Sequence, residues 1–182
     1  MTPGSRTEYK KIVRTCRKLS PPKGNYHDND FVSNLVQTVL DYHMQAEVLE
    51  KAYKHFEDNH WDDLRTEGQL RRFLEKFPDI KGGNYAGAKA LWGYRYGMRF
   101  RQLRRLVSYF RKVGVTDQPS LRRWARKSSF EDDFKGKVKG LAFAVYKWLQ
   151  MRVGVQTVKP DVHIKNFLSR AAGRKFGDER MK

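Results

Sequence analysis

The chain is short of cysteine, of acid and of long apolar runs, and each shortage removes a class of answer. Cys16 is the only cysteine among 182 residues. No intrachain disulfide, four-cysteine iron–sulfur cluster or multi-cysteine zinc site can form from it. A single thiol fits a reducing compartment, so a cytoplasmic location is expected. No apolar run approaches the length of a membrane span, and the start MTPGSRTEYKK lacks the apolar centre of a signal peptide. A soluble protein without a membrane partner is expected. Strand patterns are missing as well: VGVQTV at 153–158 is too isolated to build a sheet. There is no internal repeat, and the class read from the sequence is all-α.

The shortage of acid is the most informative. Lys and Arg total 38 against 20 Asp and Glu, a net charge of +18, while 39% of residues are hydrophobic and 13% aromatic. That is enough apolar material for a core and too much for a disordered tail. A compact fold with this self-repulsion implies a polyanionic partner. DNA or RNA comes first, and an acidic membrane surface is the weaker choice. The length supports one compact unit, expected as a monomer, with two approximate lobes: 31–150, and 1–30 joined with 151–182.

Helical spacing then places the elements. A short basic helix falls near 6–19, followed by the loop SPPKGNYHDND. Asn29 or Asp30 is the expected cap for an apolar run starting at Phe31, with a break near Asp41–Gln45 and helical spacing resuming to Phe56. Thr66 caps a helix over 66–77. The five glycines of KGGNYAGAKALWGYRYGMRF predict a loop, or two short helices with a sharp bend. A basic helix follows over 99–112, with Leu103, Leu106, Val107 and Phe110 inward and Arg101, Arg104, Arg105 and Arg111 outward. Ser120 is the expected cap of LRRWARK. Gly136 and Gly140 mark a tight turn before a buried helix over 141–151, and the last helix spans 161–172.

Two stretches carry candidate chemistry. In KGKVKG, a turn leads into a helix start, whose unpaired amides and partial positive charge suit a phosphate. Gly136 and Gly140 allow close approach, and Lys135, Lys137 and Lys139 add charge; the alternative is an ordinary connection with solvated lysines. In VKPDVHIKNFL, Asp161 stands at a helix start, and the neighbouring charges, Lys159 and Lys165, are positive. Its simplest role is an N-cap. His55 and His60, five apart, are poorly spaced for one helical face, so no metal site is read there.

The order hairpin, apolar helix, extended link and Asp-Val-His-Ile resembles the helix-hairpin-helix DNA glycosylase superfamily, related to endonuclease III. Asp161-Val162-His163-Ile164 matches that family's Asp-x-His-aliphatic motif, and Arg170 follows later in the same helix. VQTVLDYHMQAEVLEKAYKHF resembles an early family segment through Lys51-Ala52, with His43 where relatives carry a DNA-probing glutamine. GMRFRQLRRLVSYF is a third match, and coverage runs from about Phe31 to Arg170. The turn departs from the family's Leu-Pro-Gly-x-Gly, and the slot of the lysine nucleophile falls on Ala142 or Phe143.

The resemblance implies a two-lobed helical fold with a cleft, and a monofunctional DNA glycosylase acting on a flipped damaged or modified base. The setting would be base repair, or phage defence by removal of a hypermodified cytosine. The catalytic carboxylate would be Asp161. Tyr42, His43, Trp92 and Tyr94 would line the base pocket. Lys135, Gly136, Lys137, Lys139, Gly140, His163 and Lys165 would hold double-stranded DNA. No cofactor is expected beyond a monovalent cation at the hairpin. The competing expectation is a DNA- or RNA-binding protein without catalysis.

Overall fold

The computed structural model describes residues 6–20, 29–41 and 44–175. Most of the loop expected between 20 and 30, and the tail beyond 175, lie outside them. The helices are α1 (Arg6–Cys16), α2 (Phe31–Leu40), α3 (Ala46–His60), α4 (Glu67–Glu75), α5 (Lys81–Trp92), α6 (Gly97–Lys112), α7 (Gln118–Lys127), α8 (Phe143–Arg152) and α9 (Val162–Ala172), with a π-helical turn at Phe130–Phe134. No strand occurs among the described residues. None of their helices is long and apolar enough to cross a membrane. The chain divides into two units, Tyr26–Thr157 and the paired ends Met1–Asn25 with Val158–Lys182.

In the larger unit α2 is apolar on nearly every side, so it sits inside and is packed by α3, α4, α6 and α8. Both its ends are closed. Asp30 accepts the Ser33 amide at 2.7 Å. At the other end the buried Arg99 guanidinium donates to the carbonyls of Val39 and Leu40 at 2.6 and 2.7 Å. The break expected at 41–45 is where α2 ends and α3 begins, with Asp41 and Gln45 as caps.

Of the two expected forms, the glycine-rich stretch takes the second: two helices with a bend between them, α5 ending at Gly93, where φ is +77°, and α6 starting at Gly97. The glycines serve packing: a Cβ on Gly87 would lie 2.3 Å from the Phe100 ring, and one on Gly83 would lie 2.1 Å from the Pro78 carbonyl. The helix thereby lies flush against α6, and Trp92 meets Phe100 edge-on at 6.0 Å. Helix α6 begins at Gly97, two residues earlier than the spacing predicts.

Two helices start on reciprocal caps. In α4, Thr66 accepts the Gln69 amide while Gln69 accepts the Thr66 amide. In α7 the cap is Asp117 rather than Ser120. Asp117 accepts the Ser120 amide at 2.8 Å, and the Ser120 hydroxyl oxygen accepts the Asp117 amide at 3.1 Å. Pro119 explains the shift, because its fixed φ and missing N–H suit the first turn and move the start of the helix ahead of it. In the smaller unit α1 packs on α9, tied by Glu8 to Arg174 at 2.5 Å.

Two measurements follow. Gly87→Ala overpacks the α5–α6 interface and should lower unfolding free energy by about 1–3 kcal/mol in urea titration, whereas Gly82→Ala, which meets open space, should not. The Ser120 side chain and amide hold the Asp117 carboxyl below its ordinary value of 3.8. The stabilisation from this cap is therefore full above pH 3.8 and is lost as pH falls through the folded value. Asp117→Ala should cost about 1 kcal/mol at neutral pH and flatten that acid dependence.

Candidate nucleic-acid interface

The candidate interface in the larger unit is the passage from α7 to α8. Its two helices are fastened by a buried network. The Gln150 amide donates to the Ala125 carbonyl at 2.7 Å and to the Tyr146 hydroxyl at 2.9 Å. Tyr146 in turn donates to the Ser128 carbonyl at 2.6 Å. Burial raises the Tyr146 pKa, which keeps its hydroxyl a donor. Trp124 and Phe134 pack against the same ring. None of these ties is legible in the sequence, although Gln150 lies on the apolar helix, where a buried amide must find partners.

Between them, Ser129 caps the π-helical turn and accepts the Asp132 amide. The chain then reverses through Gly136 at φ +72° and Gly140 at φ +90°, a conformation only glycine adopts without strain. Val138 and Leu141 anchor the turn in the core. From below, Gln102 donates to the Gly140 carbonyl at 3.1 Å and Arg105 to the Lys139 carbonyl at 3.3 Å. Lys135, Lys137 and Lys139 are exposed. Lys135 pairs with Glu131 at 2.5 Å, so the cations aimed outward are chiefly Lys137 and Lys139. The N-cap of α8, Ala142, supplies no side-chain hydrogen bond. The first amides of α8 and the two lysines together make a region of positive potential.

The other expected residues are more dispersed. Tyr42 and His43 lie outside the described residues. Trp92 is 0% exposed and belongs to the core; its Nε1 finds no hydrogen-bond partner among the described residues. Tyr94 is half-buried beside Tyr96, with ring centroids 6.1 Å apart. No single pocket therefore gathers Trp92 with Tyr94 at the surface. His55 and His60 converge on one carbonyl, Ala90, at 3.3 and 2.8 Å. No metal-ligating cluster occurs among the described residues.

In the smaller unit Asp161 caps α9. Its Oδ1 accepts the amides of His163 and Ile164, each at 3.0 Å. His163 is exposed, and its contribution to the helix start comes through its amide. Lys165, Asn166, Ser169, Arg170 and Lys175 line a groove of about 540 Å³ along α9. This groove is cationic and has no acid in its lining. Both capping bonds use Oδ1, and Oδ2 of Asp161 makes no hydrogen bond among the described residues.

Comparison with known proteins adds no relative: no family model, curated protein or solved structure matches the chain.

The turn geometry is open to direct measurement. Gly140→Ala places a Cβ 2.6 Å from Gln102 Nε2 in a left-handed residue, a strain of about 1–3 kcal/mol. The variant should melt lower than the parent when unfolding is followed by circular dichroism. Gly136→Ala, strained in backbone alone, should lose less.

Proposed function

We propose that the chain is a monofunctional DNA glycosylase, hydrolysing the bond between a flipped base and its sugar and leaving an abasic site. One observation carries the reading: a carboxylate stands at the head of α9, fixed by two amides through one oxygen, in the sequence Asp161-Val162-His163-Ile164. It follows a glycine-turned, lysine-bearing hairpin in the chain order that the glycosylase resemblance requires. The finer two-lobed arrangement and the role in repair or phage defence are part of this proposal.

The chemistry needs few groups. As the bond breaks, its electron pair leaves with the base, and the sugar gains oxocarbenium character. An ionised carboxylate stabilises that cation and takes the proton from the attacking water. Asp161 Oδ2 would perform both tasks, with Oδ1 held by the helix. The positions matching the family's lysine slot are Ala142 and Phe143, neither of which can form a Schiff base, so water is the nucleophile and no strand cleavage follows. The hairpin amides with Lys137 and Lys139 would grip a phosphate of the duplex. Oxidised, alkylated and deaminated bases, or hypermodified cytosine such as the glucosylated form, are the substrate classes.

The cap itself favours a second reading. An aspartate that only starts a helix would leave a nucleic-acid-binding protein without catalysis. Asn caps as well as Asp, so Asp161→Asn separates the two. It should fold and melt like the parent, bind duplex DNA at least as well, and release no base. The measurement is incubation with a panel of modified DNAs, including glucosylated phage DNA, followed by alkali and gel analysis. Base release by the variant equal to the parent's would remove Asp161 from catalysis. Absence of alkali-dependent breaks with every DNA favours the binding reading.

A further inference from the structure

Helix α6 carries a surface that adjoins the hairpin, where Arg105 donates to the Lys139 carbonyl, and runs on beyond it. Met98, Arg101, Ser108 and Lys112 are exposed along it and Arg105 is half-buried. Positions 101, 105, 108 and 112 recur at helical spacing, so they share one face. Two grooves follow this face. One, of about 660 Å³, has walls that include Arg105, Ser108, Lys112 and, from the turn, Lys137. The other, of about 580 Å³, is floored by Ile80, Tyr85, Gly97 and Met98, with Lys81 and Arg101 at its rim. Asp79 lines both, so the two grooves adjoin and together make a trough along α6 with Asp79 between them.

The two linings carry six cations (Lys81, Arg101, Arg104, Arg105, Lys112 and Lys137) against three acids (Asp79, Asp132 and Asp133), and one end is apolar. Met98 is 75% exposed and Ile80 63%, large values for such side chains, and Tyr85 beside them is 39% exposed. The acids in the trough are committed to local partners. Asp79 accepts from Asn84 at 2.8 Å and lies 3.5 Å from Arg101. Asp132 and Asp133 accept from the Ser129 hydroxyl and amide. Arg104 is likewise engaged, with Phe77 and Asn84. Arg101, Arg105, Lys112 and Lys137 retain donors for a ligand.

We propose that this trough binds a single strand of DNA, its phosphates on the α6 cations and an unpaired base against Tyr85 and Met98. The dimensions agree. The helix from Arg101 to Lys112 rises about 16 Å, room for about three to five nucleotides at a phosphate per ~3.4 Å of axis or more when extended. A duplex hides its base faces, whereas an unpaired strand offers them to an apolar or aromatic floor. Charge complementarity selects a polyanion over an apolar peptide. The inference rests on the nucleic-acid reading above but not on the chemistry of Asp161.

The test is anisotropy of the full chain with a fluorescein-labelled single-stranded 12-mer, titrated with salt. Arg101→Ala/Arg105→Ala/Lys112→Ala should weaken binding tenfold or more and reduce the slope of log K against log salt by about 2, at roughly 0.7 for each phosphate no longer neutralised. Tyr85→Ala/Met98→Ala should weaken binding about tenfold with the slope unchanged. A control removing the same charge elsewhere, Lys10→Ala/Lys11→Ala/Arg14→Ala, should do much less. If the control matches the α6 triple variant, or the Tyr85/Met98 variant binds like the parent, the trough is not the site. Preference for duplex over single strand in the parent, undiminished by the α6 changes, also overturns it. Asp161→Asn should bind the 12-mer normally, which keeps failure of the catalytic reading distinct from failure of this one. Circular dichroism and melting of each variant verify that it is folded.

Discussion

The guanidinium of Arg99 is the group on which the larger unit turns. It is 8% exposed and donates two hydrogen bonds to the last carbonyls of α2. A buried cation is costly unless it is fully hydrogen-bonded, and a helix C-terminus, with its unsatisfied carbonyls and partial negative charge, is a suitable partner. The bond therefore fixes the innermost helix against α6 and stops it at the residue where the chain must turn toward α3. Helix α6 then has a defined height and rotation. Its apolar face closes the core through Phe100, Leu103, Leu106 and Phe110, all 0% exposed, and its Gln102 and Arg105 support the turn at 139–140. One buried charge thus sets the position of both the core and the turn.

The remaining charge has a different logic. A net charge of +18 opposes compaction, and the fold answers with local pairing where acids exist. Arg71 sits between Glu67 and Glu75, Lys54 pairs with Asp58, and Lys135 with Glu131. These are exposed or half-exposed pairs, each contributing little to stability. They neutralise the flanks of the turn and of α3 and α4, while α6 and α9 keep cations in excess along grooves. Concentrating unbalanced charge on two faces, rather than spreading it, raises the local potential that a polyanion would meet.

Much of the helical order is legible in the sequence because apolar periodicity and caps agree. Asp30, Thr66 and Asp161 cap the helices that their sequences announce, and Leu103, Leu106, Val107 and Phe110 of α6 are buried as their spacing indicates, whereas Arg104 and Arg105, expected outward, are half-buried and Arg104 donates to Phe77 and Asn84. The departures share a cause. Gly93 makes the break that glycine signals, but Gly83 and Gly87 are spacers inside α5 that let the Pro78 carbonyl and the Phe100 ring approach, a property of the neighbours rather than of the segment. Ser120 has the chemistry of a cap, but the proline before it moves the helix start to Asp117. The roles of Arg99, Gln102 and Gln150 depend on carbonyls brought from elsewhere in the chain, which no local pattern encodes. For Arg99 a signal is present: it lies four residues before Leu103, on the inward face, where a charge demands a partner. Residue type alone suggests Trp92 for a base pocket, and its complete burial shows how weak that signal is for an aromatic in a helix.

Asp161 shows why capping and catalysis need not compete. An N-cap uses one carboxylate oxygen, and here Oδ1 takes both amides. That bond fixes the orientation of the carboxyl plane, hence the direction of Oδ2, without a further side chain. The helix start also sets its positive potential beside the carboxylate. A carboxylate held in this way needs little reorganisation when charge develops in front of it, the condition under which electrostatic stabilisation is most effective. In the glycosylase reading, then, the cap is the device that preorganises the acid.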